Sequence, residues 1–238
     1  MVGQKGHGTE QPVSASPLPY NDGWETPLQL DAEELEKVFA AWGEAARRSR
    51  EAGFDVIEVH AAHGYLIHQF LSPLSNHRQD EYGGSLPNRM RFACRVIDAI
   101  REEWPEEKPL FMRISATDWA EGGWDLEQSI CLAKDMKEHG VDLIDCSSGG
   151  LTPLQQVQLG PGYQVPFAEA VRREANISTG AVGLITEPEQ ANEIVEGSCA
   201  DLIFLGRALL RDAYWPLHAA KTLGSDIEWP AQYLRARQ

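Results

Sequence analysis

Five times along this chain a short apolar run is followed by a helix-length segment with one apolar face. The runs are Phe54–His60, Leu110–Ser115, Leu143–Ser148, Ala181–Ile185 and Leu202–Gly206. Between and around them, helices are predicted over Asp31–Ala52, Arg89–Trp104, Leu126–His139, Phe167–Ala175, Pro188–Glu196 and Ala208–Leu223. Asp31 reads as an N-cap, and Gly53, Gly140 and Gly197 read as helix stops. Short apolar strands alternating with helices require a parallel sheet covered by helices, because parallel neighbours can be joined only by a crossover.

Polar or glycine residues stand at the C-terminal end of each run: His60, then Arg113 and Ser115, then Ser147 and Ser148, then Gly183, then Gly206 and Arg207. In a (β/α) barrel that end is the active-site face. A doubly wound sheet also binds ligands at strand C-termini, but no G-x-G-x-x-G follows any of these runs. A closed barrel needs eight strand–helix units, and five are visible. The fold class expected is therefore an α/β, TIM-type (β/α) barrel that is incomplete. Residues 1–29, rich in Pro, Gly and polar residues, read as an irregular N-terminal arm, with residues 30–238 as the partial barrel.

The formal net charge of −15 argues against nucleic acid or an anionic membrane as partner. Cys94, Cys131, Cys146 and Cys199 are scattered, without metal-binding or disulfide spacing. The opening segment lacks an apolar signal core, and no run is long and apolar enough to cross a membrane, so a cytoplasmic location is expected.

The stretch after the first strand, HAAHGYLIHQFLSPLSNHRQDEYGGS, delivers His60, His63 and Tyr65 to the mouth of the sheet. Two imidazoles and a phenol there can hold an oxyanion and donate a proton beside it. The histidines could instead cap or pack the core, or share a metal, although no third ligand at suitable spacing stands out. Tyr65 could be a packing aromatic with its hydroxyl on a carbonyl. Arg113, in a strand otherwise suited to burial, needs a partner, and an ion pair with Glu58 is one choice.

This stretch, together with NRMRF, LFMRISATD, GVDLIDCSSG, TGAVGLIT, DLIFLGRALLRD and QYLR, resembles the old yellow enzyme family, and more narrowly its thermophilic-like ene-reductases. The resemblance covers roughly residues 20–238. It implies a β/α barrel holding FMN, with NADPH or NADH as reductant and an α,β-unsaturated carbonyl compound as substrate. On this pattern the five strands are units four to eight, and the family's first three strands would lie upstream of Met1. The resemblance further implies that His60 and His63 hydrogen-bond the substrate carbonyl and that Tyr65 is the proton donor. Arg113 would face the flavin ring, and Ser148, Gly183, Gly206 and Arg207 would hold the FMN phosphate. Arg235 would reach a neighbouring subunit's site, which makes a homo-oligomer the expected state. The rival reading is a catalytically silent or partner-completed half-barrel. The segment Asn76–Arg91 is expected to be structural.

Overall fold

The computed structural model of the protein describes residues 11–237. Two short strands open it, β1 (Val13–Ser14) and β2 (Leu28–Gln29), paired in parallel within the N-terminal arm. Helix α1 (Ala32–Glu51) starts where the sequence marks it: Asp31 Oδ1 accepts from the Glu34 amide at 2.9 Å, and Glu34 Oε2 accepts from the Asp31 amide at 2.8 Å. This reciprocal cap satisfies two amides the helix leaves free. The helix buries Leu35, Phe39, Gly43 and Ala46, a stripe at helical spacing.

The main sheet follows: β3 (Ile57–Ala61), β4 (Leu110–Ser115), β5 (Leu143–Ser147), β6 (Ser178–Ala181) and β7 (Leu202–Ile203). All pairings are parallel, and spatial order equals chain order. Right-handed crossovers that always step the same way place every helix on one face. That is the layout of a (β/α) barrel rather than of a doubly wound sheet, whose strand order reverses. The helix-facing residues are apolar and buried: Val59 on β3, Met112 and Ile114 on β4, Ile144 and Cys146 on β5. The opposite face carries Glu58, His60, Arg113, Asp145 and Ser147, set side by side by the register His60↔Arg113↔Asp145.

The connecting helices are α2 (Leu66–Leu71), α3 (Leu86–Arg101), α4 (Leu126–Glu138), α5 (Val165–Ala175), α6 (Pro188–Glu196), α7 (Arg207–Arg211) and α8 (Trp215–Thr222), with a final 3₁₀ turn at Ala231–Ala236. Beyond shifts of a few residues at element ends, one helix, one strand and one helix pair differ from the sequence-based expectation. The loop predicted after β3 contains α2, which buries Ile67 through Leu71. The strand predicted at Ala181–Ile185 lies at Ser178–Ala181, because Gly183 and Leu184 have φ of 119° and 52°, incompatible with an extended strand. The single helix predicted near Ala208–Leu223 is two, since Pro216 in the first turn of α8 lacks the N–H that a continuous helix would need. No helix of the described residues is long and apolar enough to cross a membrane.

Candidate active site

Beyond β3 the chain makes a tight turn. His63 and Gly64 both have positive φ, 57° and 74°, and Tyr65 is the N-cap of α2. The turn brings His60 at the strand end next to His63 and Tyr65: the His60 ring centroid lies 5.1 Å from that of His63 and 5.0 Å from that of Tyr65. Neighbouring strand ends hold the turn in place. The His63 amide donates to Ser115 Oγ at 2.9 Å, and Ser115 Oγ donates to the Gly149 carbonyl at 2.8 Å. His63 Nε2 lies 2.7 Å from Ser147 Oγ. One nitrogen of His63 is therefore engaged by the protein. The Ser147 hydroxyl has a single proton and also lies 3.4 Å from Gln164 Oε1, so the contact is compatible with either tautomer of His63.

Both imidazoles are held neutral. Burial, and then the Arg113 charge, lower the His63 pKa to about 4 and lower that of His60 as well. Neutral imidazole still donates one N–H, so loss of the positive charge leaves a hydrogen-bond donor to oxygen. Tyr65 is exposed and lines an open basin of about 810 Å³ together with His60, His63, Tyr20, Ser148 and Tyr163. A phenol within reach of solvent can give up a proton and regain it.

Arg113 lies on the same face as His60. Its ion-pair partner is Asp145 on β5, with Nε 3.2 Å from Oδ2, and not Glu58. The contact is charge against charge without an aligned hydrogen bond: Arg113 Nε and both Asp145 carboxylate oxygens are buried without a hydrogen-bond partner. Burial pushes the Asp145 pKa up to about 7, against the pull of Arg113, and repulsion from Glu58 adds to the rise.

The four residues assigned to phosphate binding separate into two places. Gly183, Gly206 and Arg207 line one cavity of about 290 Å³, together with Arg211. Ser148 belongs to the histidine basin, and its Oγ donates to Gln164 Oε1. Gln164, buried at the start of α5, links the two: its Nε2 donates to the Val182 carbonyl at 2.8 Å. At Gly183 a Cβ would come within 2.7 Å of Gln164 Nε2, whereas at Gly206 a Cβ would meet nothing within 4 Å. A cavity with two glycine backbones and two guanidinium groups has the donors a phosphate needs. On the open sheet face the Arg113 side chain is 27% exposed although its Nε is buried against Asp145, so the exposed part of its guanidinium could engage a planar polar edge. The residues present thus supply the kinds of donor that the phosphate and ring of a flavin mononucleotide would need.

Arg235 lies exposed in the terminal 3₁₀ turn, apart from the basin lining. Within Asn76–Arg91, Arg78 is buried and donates to the Ala15 and Leu30 carbonyls at 3.1 and 2.8 Å, tying the arm to the loop. Arg89 is buried over Trp124.

Sequence reasoning placed Ser147 at a strand end without giving it a role, and passed over Asp145, Gln164, Arg211, His68 and Asp118. Asp145 carries the signal used for Arg113, a charge inside an apolar strand. Arg211 is one helical turn beyond Arg207 on α7. Gln164 is held by residues remote in sequence, and the His68–Asp118 pair joins residues fifty apart, so neither gives a local signal.

The sequence profile described as the NADH:flavin oxidoreductase / NADH oxidase family matches residues 7–226. A protein named NADPH dehydrogenase from Geobacillus thermodenitrificans (strain NG80-2) is 53% identical over 234 residues, which is 98% of this chain and 68% of that relative. The Bacillus subtilis (strain 168) NADPH dehydrogenase is 51% identical over 220 residues, with 64% of its length covered. Among solved structures, a 2-naphthoyl-CoA reductase in complex with 2-naphthoyl-CoA superposes with a TM-score of 0.81 at 29% identity, covering 90% of this chain and 33% of that one. The chain therefore spans about two thirds of the length of its curated relatives.

Proposed function

The chain belongs to the NADH:flavin oxidoreductase / NADH oxidase family, and from that premise we propose that it is an FMN-dependent NAD(P)H oxidoreductase reducing the C=C bond of enones or enals. The reading is carried by one observation: His60, His63 and Tyr65, two neutral imidazoles and a phenol, meet with ring centroids 5.0–5.1 Å apart on an open basin. Morphinone reductase, solved with tetrahydroNAD, has a TM-score of 0.73 to this chain at 26% identity and is matched over 62% of its length, which supports a nicotinamide reductant.

When bound, FMN supplies hydride, taken from NAD(P)H and delivered to the alkene β-carbon. The protein's own part is to hold the carbonyl oxygen between the His60 and His63 N–H groups. Negative charge grows on that oxygen as the β-carbon is attacked, so donors placed there stabilise the transition state more than the ground state. Tyr65 gives its phenolic proton to the α-carbon, and the exposed phenolate takes a proton back from solvent. Arg113 would face the flavin ring, its guanidinium countering negative charge there. Gly183, Gly206 and Arg207 would hold the phosphate, and Ser148 would line the substrate side. Arg235, exposed at the chain end, would complete a neighbouring subunit's basin in a homo-oligomer.

The test is direct: add FMN to the purified chain, look for a bound flavin spectrum that bleaches anaerobically with NADPH, and follow its recovery with cyclohexenone. No bound flavin at micromolar concentration sinks the reading for this chain. A second reading, a half-barrel completed by another chain, draws support from the edge strands. In the described residues β3 and β7 each have one neighbour, with Phe54 and Val56 exposed beside β3 and Leu202 exposed on β7. Such edges recruit further strands. Flavin binding that requires a second, different chain would favour it.

A further inference from the structure

We propose that His68 is a positioning residue for the His60–His63–Tyr65 group, acting through the Gly64 peptide. The inference rests on the reading above, in which those three side chains handle the alkene.

The turn that presents them is unfavourable by itself. His63, which has a Cβ, sits at positive φ, and such backbone persists only when its surroundings hold it. Gly64 follows, again at positive φ, and a Cβ there would lie 2.6 Å from the Gly150 carbonyl oxygen. Both polar groups of Gly64 are clamped from α2. Its N–H donates to His68 Nδ1 at 3.0 Å, and its carbonyl accepts from Gln69 Nε2 at 2.6 Å.

An Nδ1 that accepts an amide hydrogen carries no proton of its own. The His68 proton is therefore on Nε2, where it donates to Asp118 Oδ1 at 2.8 Å. Asp118 is itself fixed. Its Oδ2 accepts from Ser72 Oγ at 2.6 Å and from the Trp124 amide at 2.7 Å, and its own amide donates to the Trp124 carbonyl at 2.9 Å. His68, Ser72 and Asp118 are all fully buried. A carboxylate anchored in the loop after β4 thus sets the tautomer of His68, and that tautomer sets the turn carrying His63 and Tyr65. None of the three touches the basin, so the effect is one of orientation.

Two substitutions separate this role from plain core stability. Asn carries its amide oxygen near the position of Nδ1, so His68→Asn keeps the Gly64 bond and gives up Asp118. Gln reaches the position of Nε2, so His68→Gln keeps Asp118 and gives up Gly64. His68→Gln is expected to slow reoxidation of the reduced enzyme by cyclohexenone on the order of tenfold to a hundredfold, as small misplacements of reacting groups do, with a melting temperature close to that of the parent. His68→Asn is expected to restore the rate even where it lowers the melting temperature. Reoxidation by His68→Gln at the parent rate, or rates that merely follow melting temperature in both variants, overturns the proposal.

A measurement on the unsubstituted chain decides the matter even if neither variant folds. The Gly64 amide is expected to exchange with solvent slowly, and imidazole ¹⁵N spectra to show His68 as the Nε2–H tautomer. A fast Gly64 amide or an Nδ1–H tautomer overturns it. Failure of the parent to be reoxidised by cyclohexenone would instead sink the enone reading, leaving the exchange and tautomer results to decide the role of His68.

Discussion

Arg113 and Asp145 lie opposite each other on β4 and β5, 3.2 Å apart at Nε and Oδ2, and make an ion contact without an aligned hydrogen bond. The arrangement leaves a buried carboxylate only half compensated. Its affinity for a proton rises accordingly, to a pKa of about 7.

This has a consequence for stability. Asp145 ionises near 3.8 ordinarily and near 7 in the fold, so between those values the native state keeps a proton that the unfolded state has lost. Stability contributed by this group therefore falls as pH rises through that window, by at most about 1.4 kcal/mol per pH unit. His63 acts the other way: its pKa drops from 6.5 to about 4, so its contribution is lost as pH falls from 6.5 towards 4. The two oppose each other in the parent protein. Asp145→Asn is expected to make stability climb more steeply with pH between about 4 and 7 than in the parent. Urea unfolding at several pH values reads the slopes, and parallel slopes would refute the assignment.

Replacing His60 and His63 together by Ala removes both oxyanion donors. A single donor of this kind contributes roughly 10²–10³ in rate. The double variant is expected to lose at least that much in reoxidation by cyclohexenone while retaining bound FMN. Loss of flavin with the substitution would show that the pair serves the cofactor.

Tyr65→Phe deletes one hydroxyl from an exposed ring. Melting temperature should barely move, because nothing buried is left unpaired. Alkene reduction should slow by roughly 10²–10⁴, the range for a general acid, whereas bleaching by NADPH, which consumes no proton from Tyr65, should be unaffected. Stopped-flow separation of the two half-reactions checks both.

Gly183 and Gly206 make a controlled pair. Gly183 has a φ of 119° and no room for a Cβ beside Gln164. Gly183→Ala is expected to destabilise the fold by about 1–3 kcal/mol and to weaken FMN binding. Gly206→Ala places its methyl in open space on the cavity wall. It is expected to weaken FMN binding with little change in melting temperature. Equal effects on stability in the two variants would contradict the geometry.

The periodicity of the chain made the parallel sheet legible, and with it the side of the sheet where chemistry would sit. That information is local: apolar runs of strand length, amphipathic helices, Asp31 and Gly53 at helix ends, and polar residues closing each run. The motif from His60 to Tyr65 was legible for the same reason, since three reactive side chains within six residues of a strand end must share one mouth. Tertiary structure alone decided the rest. It paired Arg113 with Asp145 rather than Glu58, because register between strands sets which charges face each other. It placed Ser148 on the histidine basin, with its hydroxyl on Gln164, apart from the cavity lined by Gly183, Gly206 and Arg207. It also set the His68–Asp118 pair under the His63–Gly64 turn. These contacts join residues far apart in the chain, and their distances exist only once β3, β4 and β5 have taken their register and the helices have closed over one face.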